Sequence, residues 1–327
     1  MRQRSDSVMK RFLIALALTC LPVTIVTAQD IYEDMSHDYI PQYFMDGAFF
    51  YPGTLESLVE DLIEVDPLKS SILDTYCQLS NMMMGLKVER SKVEANMLRI
   101  EKYMGTDNTI YALAMLPKAV EDDENLNVLL QAAELIAGTA GDESWEYALA
   151  MFLASSFTLD IEKYGDSSQA LEYSEKCMEI LEGGDKDTWL YYLAMVNKGI
   201  ARIFAQDGEG INDMIAAHDA FGDEIDEKEC CPYIYAALNL ATIYTSAGYH
   251  DLAIELAQLT ELFLLELELT SSDMYMSLNR TLCYAYAMKK ERKKARSYFA
   301  KAEQACIERF GEGSKQHKSL DRYREML

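Results

Sequence analysis

Proline is scarce in this chain: six residues in 327. With so few helix breakers, and with Ala, Leu, Glu, Met and Lys abundant, little of the sequence reads as strand, and the prediction is an all-helical protein. Histidine is scarcer: His37, His218, His250 and His317 are the complete set, and none falls in an H-E-x-x-H or comparable metal-ligand spacing. There is no G-x-S-x-G elbow, no P-loop and no dinucleotide fingerprint. Asp207-Gly208-Glu209-Gly210 lacks the alternating carboxylates of a calcium loop, and Asp122, Asp123 and Glu124 read as a solvated turn. No metal, cofactor or catalytic residue is therefore expected. Beyond the N-terminus there is no run of about 18 apolar residues, so no membrane-spanning helix is expected there. Basic residues are in deficit, 30 against 54 acidic, a net charge of −24, which disfavours nucleic acid and anionic lipid as partners.

Residues 9–28, MKRFLIALALTCLPVTIVTA, carry the order of features of an export signal. Lys10 and Arg11 form a positive start, Phe12 to Leu18 an apolar run, and Val26-Thr27-Ala28 a small-residue cleavage site before Gln29. A retained anchor and lipidation at Cys20 are the competing readings. Pro22 interrupts a short apolar run, and Ala17-Leu18-Thr19 is a poor lipoprotein box. The expectation is a periplasmic or secreted protein with no membrane insertion after cleavage. Export permits disulfides. Cys177, Cys283 and Cys306, however, sit in helical apolar patterns as small core residues, and Cys230-Cys231 precedes Pro232 at a helix start.

Four segments are expected: the signal peptide (1–28), an aromatic-rich arm (29–54), a helical N-terminal part of possibly divergent repeats (55–142), and a repeat region (143–327). The arm contains Tyr39, Tyr43, Phe44, Phe49, Phe50 and Tyr51. It is expected to pack on the first helices, with an exposed aromatic surface as the alternative. Glycines 85, 105, 138, 165, 183, 208, 222, 248 and 311 are read as helix-end punctuation. The stretch from Lys289 to Leu327 holds 12 basic and 6 acidic residues, against a strongly acidic body. Its KKERKK run reads as a solvated helix end, or as a contact for an acidic partner or for the acidic body of the same molecule.

The repeat is the most specific signal. Leu240, Ala241 and Tyr244 lie on one helix face, Gly248 follows, and Ala253 and Ala257 lie on the next helix. Leu282, Cys283, Tyr286, Ala295, Phe299 and Ala302 reproduce that order 42 residues later. Leu153, Ala154 and Phe157 with Ala170 and Cys177 form a weaker unit. Another reads Ile200, Ala201, Phe204 and Gly208, followed by a second helix with Asp213 where Ala is usual. These residues resemble the tetratricopeptide repeat family, whose pattern sets small residues where paired helices meet and aromatics between successive hairpins.

The resemblance implies a right-handed superhelical solenoid of antiparallel helix hairpins whose first helices line a concave groove for a protein or peptide. Carried onto this sequence, the groove positions are Lys198, Arg202, Tyr235, Leu238, Asn239, Thr242, Arg280 and Tyr284. Chaperone-binding members of that family clamp a terminal carboxylate with Lys and Asn. Lys198 and Asn239 match, whereas Arg202 replaces Asn, and Ser277 and Thr281 replace basic residues. The leading expectation is thus an exported, non-catalytic scaffold or adaptor. The alternative is a cell-envelope glycan- or small-ligand-binding protein using the aromatic arm, with an enzyme on helical repeats third.

Overall fold

The computed structural model describes residue 44 and residues 55–121, 126–160, 166–183, 188–221 and 230–327. The signal-like segment and nearly all of the aromatic arm lie outside them. Among the described residues the secondary structure is entirely helical. In chain order the helices are α1 (Glu56–Leu62), α2 (Pro67–Met83), α3 (Arg90–Met104), α4 (Thr109–Glu121), α5 (Leu126–Thr139), α6 (Trp145–Thr158), α7 (Ser168–Glu182) and α8 (Trp189–Phe204). They continue with α9 (Gly210–Ala220), α10 (Cys230–Ser246), α11 (His250–Glu266), α12 (Asp273–Met288), α13 (Arg292–Phe310), α14 (Lys315–Lys318) and α15 (Asp321–Arg324). No helix of the described residues is long and apolar enough to cross a membrane.

Each helix from α1 to α13 packs on the next, and the even-numbered helices α2 to α12 also touch the next even-numbered one. The result is a stack of hairpins, α2–α3 through α12–α13, with α2, α4, α6, α8, α10 and α12 forming one continuous layer. Local chemistry sets the ends. Asp66, Ser144 and Ser272 accept the N–H of the residue three positions on, capping α2, α6 and α12, and Pro67 occupies the first position of α2.

The hairpins repeat in detail. Arg202, Tyr244 and Tyr286 each accept, at the main-chain oxygen, the N–H of the residue five positions on, at 2.8, 2.8 and 2.9 Å. The residue before that donor is left-handed each time: Gln206, Gly248 and Lys290, at φ +64°, +85° and +63°, spaced 42 residues apart. This is one Schellman closure used three times, although only Gly248 supplies glycine. Gly138, expected to punctuate, lies inside α5, and Gly141 at φ +98° follows that helix instead. Gly165 and Gly222 lie outside the described residues.

These closures fix the register of the hairpin formed by α8 and α9. Counting back from Gln206 places Gly199, not Ala201, in line with Ala241 and Cys283, and Arg202, not Phe204, in line with the tyrosines. Phe204 is 43% exposed, as a residue outside the hairpin interface should be. Gly199 meets Gly210 of α9 backbone to backbone. A Cβ on Gly210 would lie 2.3 Å from the Gly199 oxygen, and one on Gly199 would lie 2.6 Å from the Gly210 oxygen. Both positions demand glycine despite its helix cost of about 1 kcal/mol relative to alanine. The small residue of the second helix is therefore Gly210, and Asp213 never occupied the alanine position.

In this register the buried small positions are Ala154, Gly199, Ala241 and Cys283 on the first helices, with Ala170, Gly210, Ala253 and Ala295 on the second. Four and seven residues further on, each second helix buries another pair: Ser174 and Cys177, Met214 and Ala217, Ala257 and Thr260, Phe299 and Ala302. Burial raises the thiol pKa of Cys177 above the ordinary cysteine range and pushes that of Cys283 up to about 11, so both are packing residues rather than nucleophiles.

The last hairpin touches the first. The Asp273 N–H at the start of α12 donates to the Gly85 oxygen at 2.9 Å. The Arg309 guanidinium near the end of α13 donates to the Leu86 oxygen at 3.0 Å and pairs with Asp273 at 3.5 Å. Gly85 is at φ +64°, and a Cβ there would stand 3.2 Å from the Asp273 Cβ.

A left-handed non-glycine residue costs about 1 kcal/mol relative to glycine. Gln206→Gly and Lys290→Gly are each expected to raise unfolding stability by up to about that amount in urea titrations. Destabilisation by either would mean that its closure is not left-handed.

Candidate functional site

The layer of even-numbered helices carries a polar chain across successive hairpins. Ser155 and Ser156 of α6 both donate to the Phe152 oxygen, at 2.7 and 3.1 Å. The Asn197 amide of α8 donates to the Ser155 and Ser156 hydroxyls at 2.7 and 2.8 Å. Tyr235 of α10 in turn donates to the Asn197 Oδ1 at 2.8 Å. Asn197 is fully buried, and burial pushes the Tyr235 phenol up to about 12, so the hydroxyl stays protonated as a donor. One step further, the Thr242 hydroxyl of α10 lies 3.1 Å from that of Thr281 in α12. Three hairpins are thus pinned side by side by buried or half-buried hydrogen bonds.

The residues expected to line a groove separate into two sets. Tyr235, Leu238, Asn239 and Thr242 follow helical spacing on one face of α10; Leu238 is buried, Tyr235 and Asn239 are half-buried and Thr242 is exposed. The Asn239 amide donates to the Tyr235 oxygen, and the Thr242 hydroxyl to the Leu238 oxygen, both at 2.9 Å. Arg280 and Tyr284 sit one turn apart on α12, both half-buried. Arg280 donates to the Tyr323 hydroxyl of α15 at 3.3 Å and lies over its ring at 5.3 Å, while the Tyr284 ring stands 6.5 Å from His250.

Lys198 and Arg202 form the second set and turn toward the odd-numbered helices. Lys198 pairs with Glu175 of α7 at 3.7 Å. Arg202 donates to Asp207 of the α8–α9 turn and to Asp213 of α9, each at 2.7 Å. The two-residue register shift is the physical reason: in the corrected frame the groove positions of α8 fall on Val196 and Ile200, both buried. Arg202 therefore clips its own hairpin together, and Asp213 is its counter-charge.

The basic C-terminal stretch is also engaged with the acidic body. Lys289 pairs with Asp251 and Lys301 with Glu261, both of α11, the latter at 2.6 Å. Arg324 of α15 pairs with Glu303 of α13. Among the described residues, no group of three or more His, Cys, Asp and Glu side chains is arranged to hold a metal ion.

An aromatic box went unrecognised in the sequence. Phe44, from the N-terminal arm, is fully buried, with its ring centroid 5.4 Å from Tyr76 of α2, 6.1 Å from Trp145 of α6 and 6.1 Å from Trp189 of α8. The arm residue thus packs on the first helices, as expected, but also reaches two later ones. Glu146 adjoins the box. Burial raises its carboxyl pKa, and burial followed by the Glu146 charge raises the Tyr76 phenol above the usual tyrosine range. No short motif links these residues; each tryptophan marks only the first position of a helix.

Arg202, chiefly through its hydrogen bond, holds the Asp207 carboxyl below the usual aspartate range. A folded pKa below the unfolded one adds stability that is complete above the unfolded pKa and is lost as pH falls through the folded one. Acidification below about pH 5 should therefore lower the urea midpoint more steeply for the native chain than for Arg202→Met. Parallel curves would show that the clip contributes nothing to stability.

Searches against protein-family models and against curated proteins return no match to this chain.

Proposed function

We propose that this chain is a non-catalytic scaffold of the tetratricopeptide type, exported to the periplasm or beyond, that holds a protein or peptide along its even-numbered helix layer. The observation that carries this reading is the repetition of one hairpin closure at Gln206, Gly248 and Lys290, with small residues in register on both helices. That combination is what the resembled family needs for close-packed, stackable hairpins.

Curvature supports the superhelical form. At roughly 10 Å per helix step, a straight stack would hold α2 and α12 about 50 Å apart. Yet the turn after α2 meets the start of α12. In a flat ring the C-terminal end of α2 would lie beside the C-terminal end of α12. It meets the N-terminal end instead, an offset of one helix, about 24 Å for the 16 residues of α12. A path that returns near its start with an axial offset is a superhelix; its right hand is carried over from the family. The even-numbered helices touch one another along this path, which suits them to the concave side.

On that side Asn239, Thr242, Arg280 and Tyr284 offer amide, hydroxyl, guanidinium and phenol groups suited to an extended peptide's backbone and polar side chains. Lys198 and Arg202, spent on the second layer, are dropped from the binding set. The glycan-binding alternative drew on an exposed aromatic arm, and the burial of Phe44 counts against that use for this residue.

Crosslinking capture from native envelope extracts, read by mass spectrometry, tests the scaffold reading. A Thr242→Glu, Tyr284→Ala variant should lose a specific protein partner by about tenfold or more, while Lys198→Ala retains it. Equal capture by both variants would reject the inner-face assignment.

A further inference from the structure

We propose that the box formed by Tyr76, Trp145 and Trp189 is an exchangeable receptor for a phenylalanine-bearing peptide segment, held in this structure by the chain's own Phe44. The inference rests on the scaffold reading and deepens it by naming an anchor site and the chemistry of its ligand. All three walls come from the even-numbered helices, which form the proposed binding layer, and from three different hairpins. Phe44 is foreign to those hairpins: 32 residues separate it from Tyr76, 101 from Trp145 and 145 from Trp189.

The walls are held independently of the occupant. Tyr76 lies in the middle of α2, and the tryptophans open α6 and α8. α6 is capped by Ser144, and the hairpins of α6 and α8 are closed by Ala154 with Ala170 and by Gly199 with Gly210. The ring geometry around Phe44 is tilted against Tyr76 and Trp145 and edge-on against Trp189, which suits a single flat ring. Trp145 stays half-exposed with Phe44 seated, so the box opens to solvent on that side. Beside that opening, Glu146 supplies an acceptor for a peptide N–H. Buried Trp and Tyr clusters of this kind are the usual anchors of peptide recognition.

The chain contains two tryptophans, and both are in the box. Intrinsic fluorescence therefore reports on this site alone. The probe is a dansyl-labelled peptide of residues 38–50, with a Phe44→Ala peptide as control, added to the full native chain and to its Phe44→Ala variant. The variant should keep its helical circular dichroism and show red-shifted, more quencher-accessible emission. Energy transfer to the Phe44-bearing peptide should saturate in both proteins, about tenfold more tightly in the variant, where no resident side chain competes. The control peptide should give none.

Unchanged emission in the variant would overturn the proposal, and so would equal transfer to both peptides. If the variant loses its helical signal, the native chain decides. Saturable transfer there supports exchange, and its absence makes Phe44 a fixed core residue. Calorimetric binding of the peptide with no change in tryptophan signal would reject the box while leaving the scaffold reading intact.

Discussion

The two helices of each hairpin approach as closely as their smallest residues allow, and the rest of the molecule is built on that approach. Where Gly199 meets Gly210 the backbones touch, and any side chain would force them apart. The same positions in the other hairpins hold Ala154 and Ala170, Ala241 and Ala253, Cys283 and Ala295, all buried. A pair held this tightly cannot cover both of its own faces, so its larger residues must be buried by the next pair. Hydrogen bonds from Ser155 and Ser156 through Asn197 to Tyr235 then fix the sideways registration. Charge plays a local part: Arg202 with Asp207 and Asp213 secures one hairpin, and the basic last helices fasten to α11.

Much of this was legible because it is local. The 42-residue interval from Tyr244 to Tyr286, the alanines nine residues after each, and the all-helical character follow from spacing alone. The hairpin of α8 and α9 was misread by two residues because Ile200-Ala201-Phe204 imitates the family pattern. Gly199 carries no such signal until Gly210 is seen against it. The closures at Gln206 and Lys290 were invisible for a different reason: glycine marks a left-handed residue in sequence, and these two adopt that conformation without it. Lys198 and Arg202 were assigned to a groove through the same shifted frame.

The aromatic box and the contact between first and last hairpins were beyond any sequence window. Both join residues separated by a hundred positions or more, and both depend on the sum of small rotations between hairpins. The box nevertheless obeys the same logic as the repeats. It is a place where the even-numbered layer offers apolar rings, and a ring from outside the stack fills it.

The central claim is that the hairpins curl until α12 and α13 meet the turn after α2. Pulsed dipolar spectroscopy between spin labels at positions 87 and 312, both exposed, tests it most directly. Closure predicts one narrow distribution at short separation. A broad distribution centred near the roughly 50 Å of an uncurled stack would contradict it.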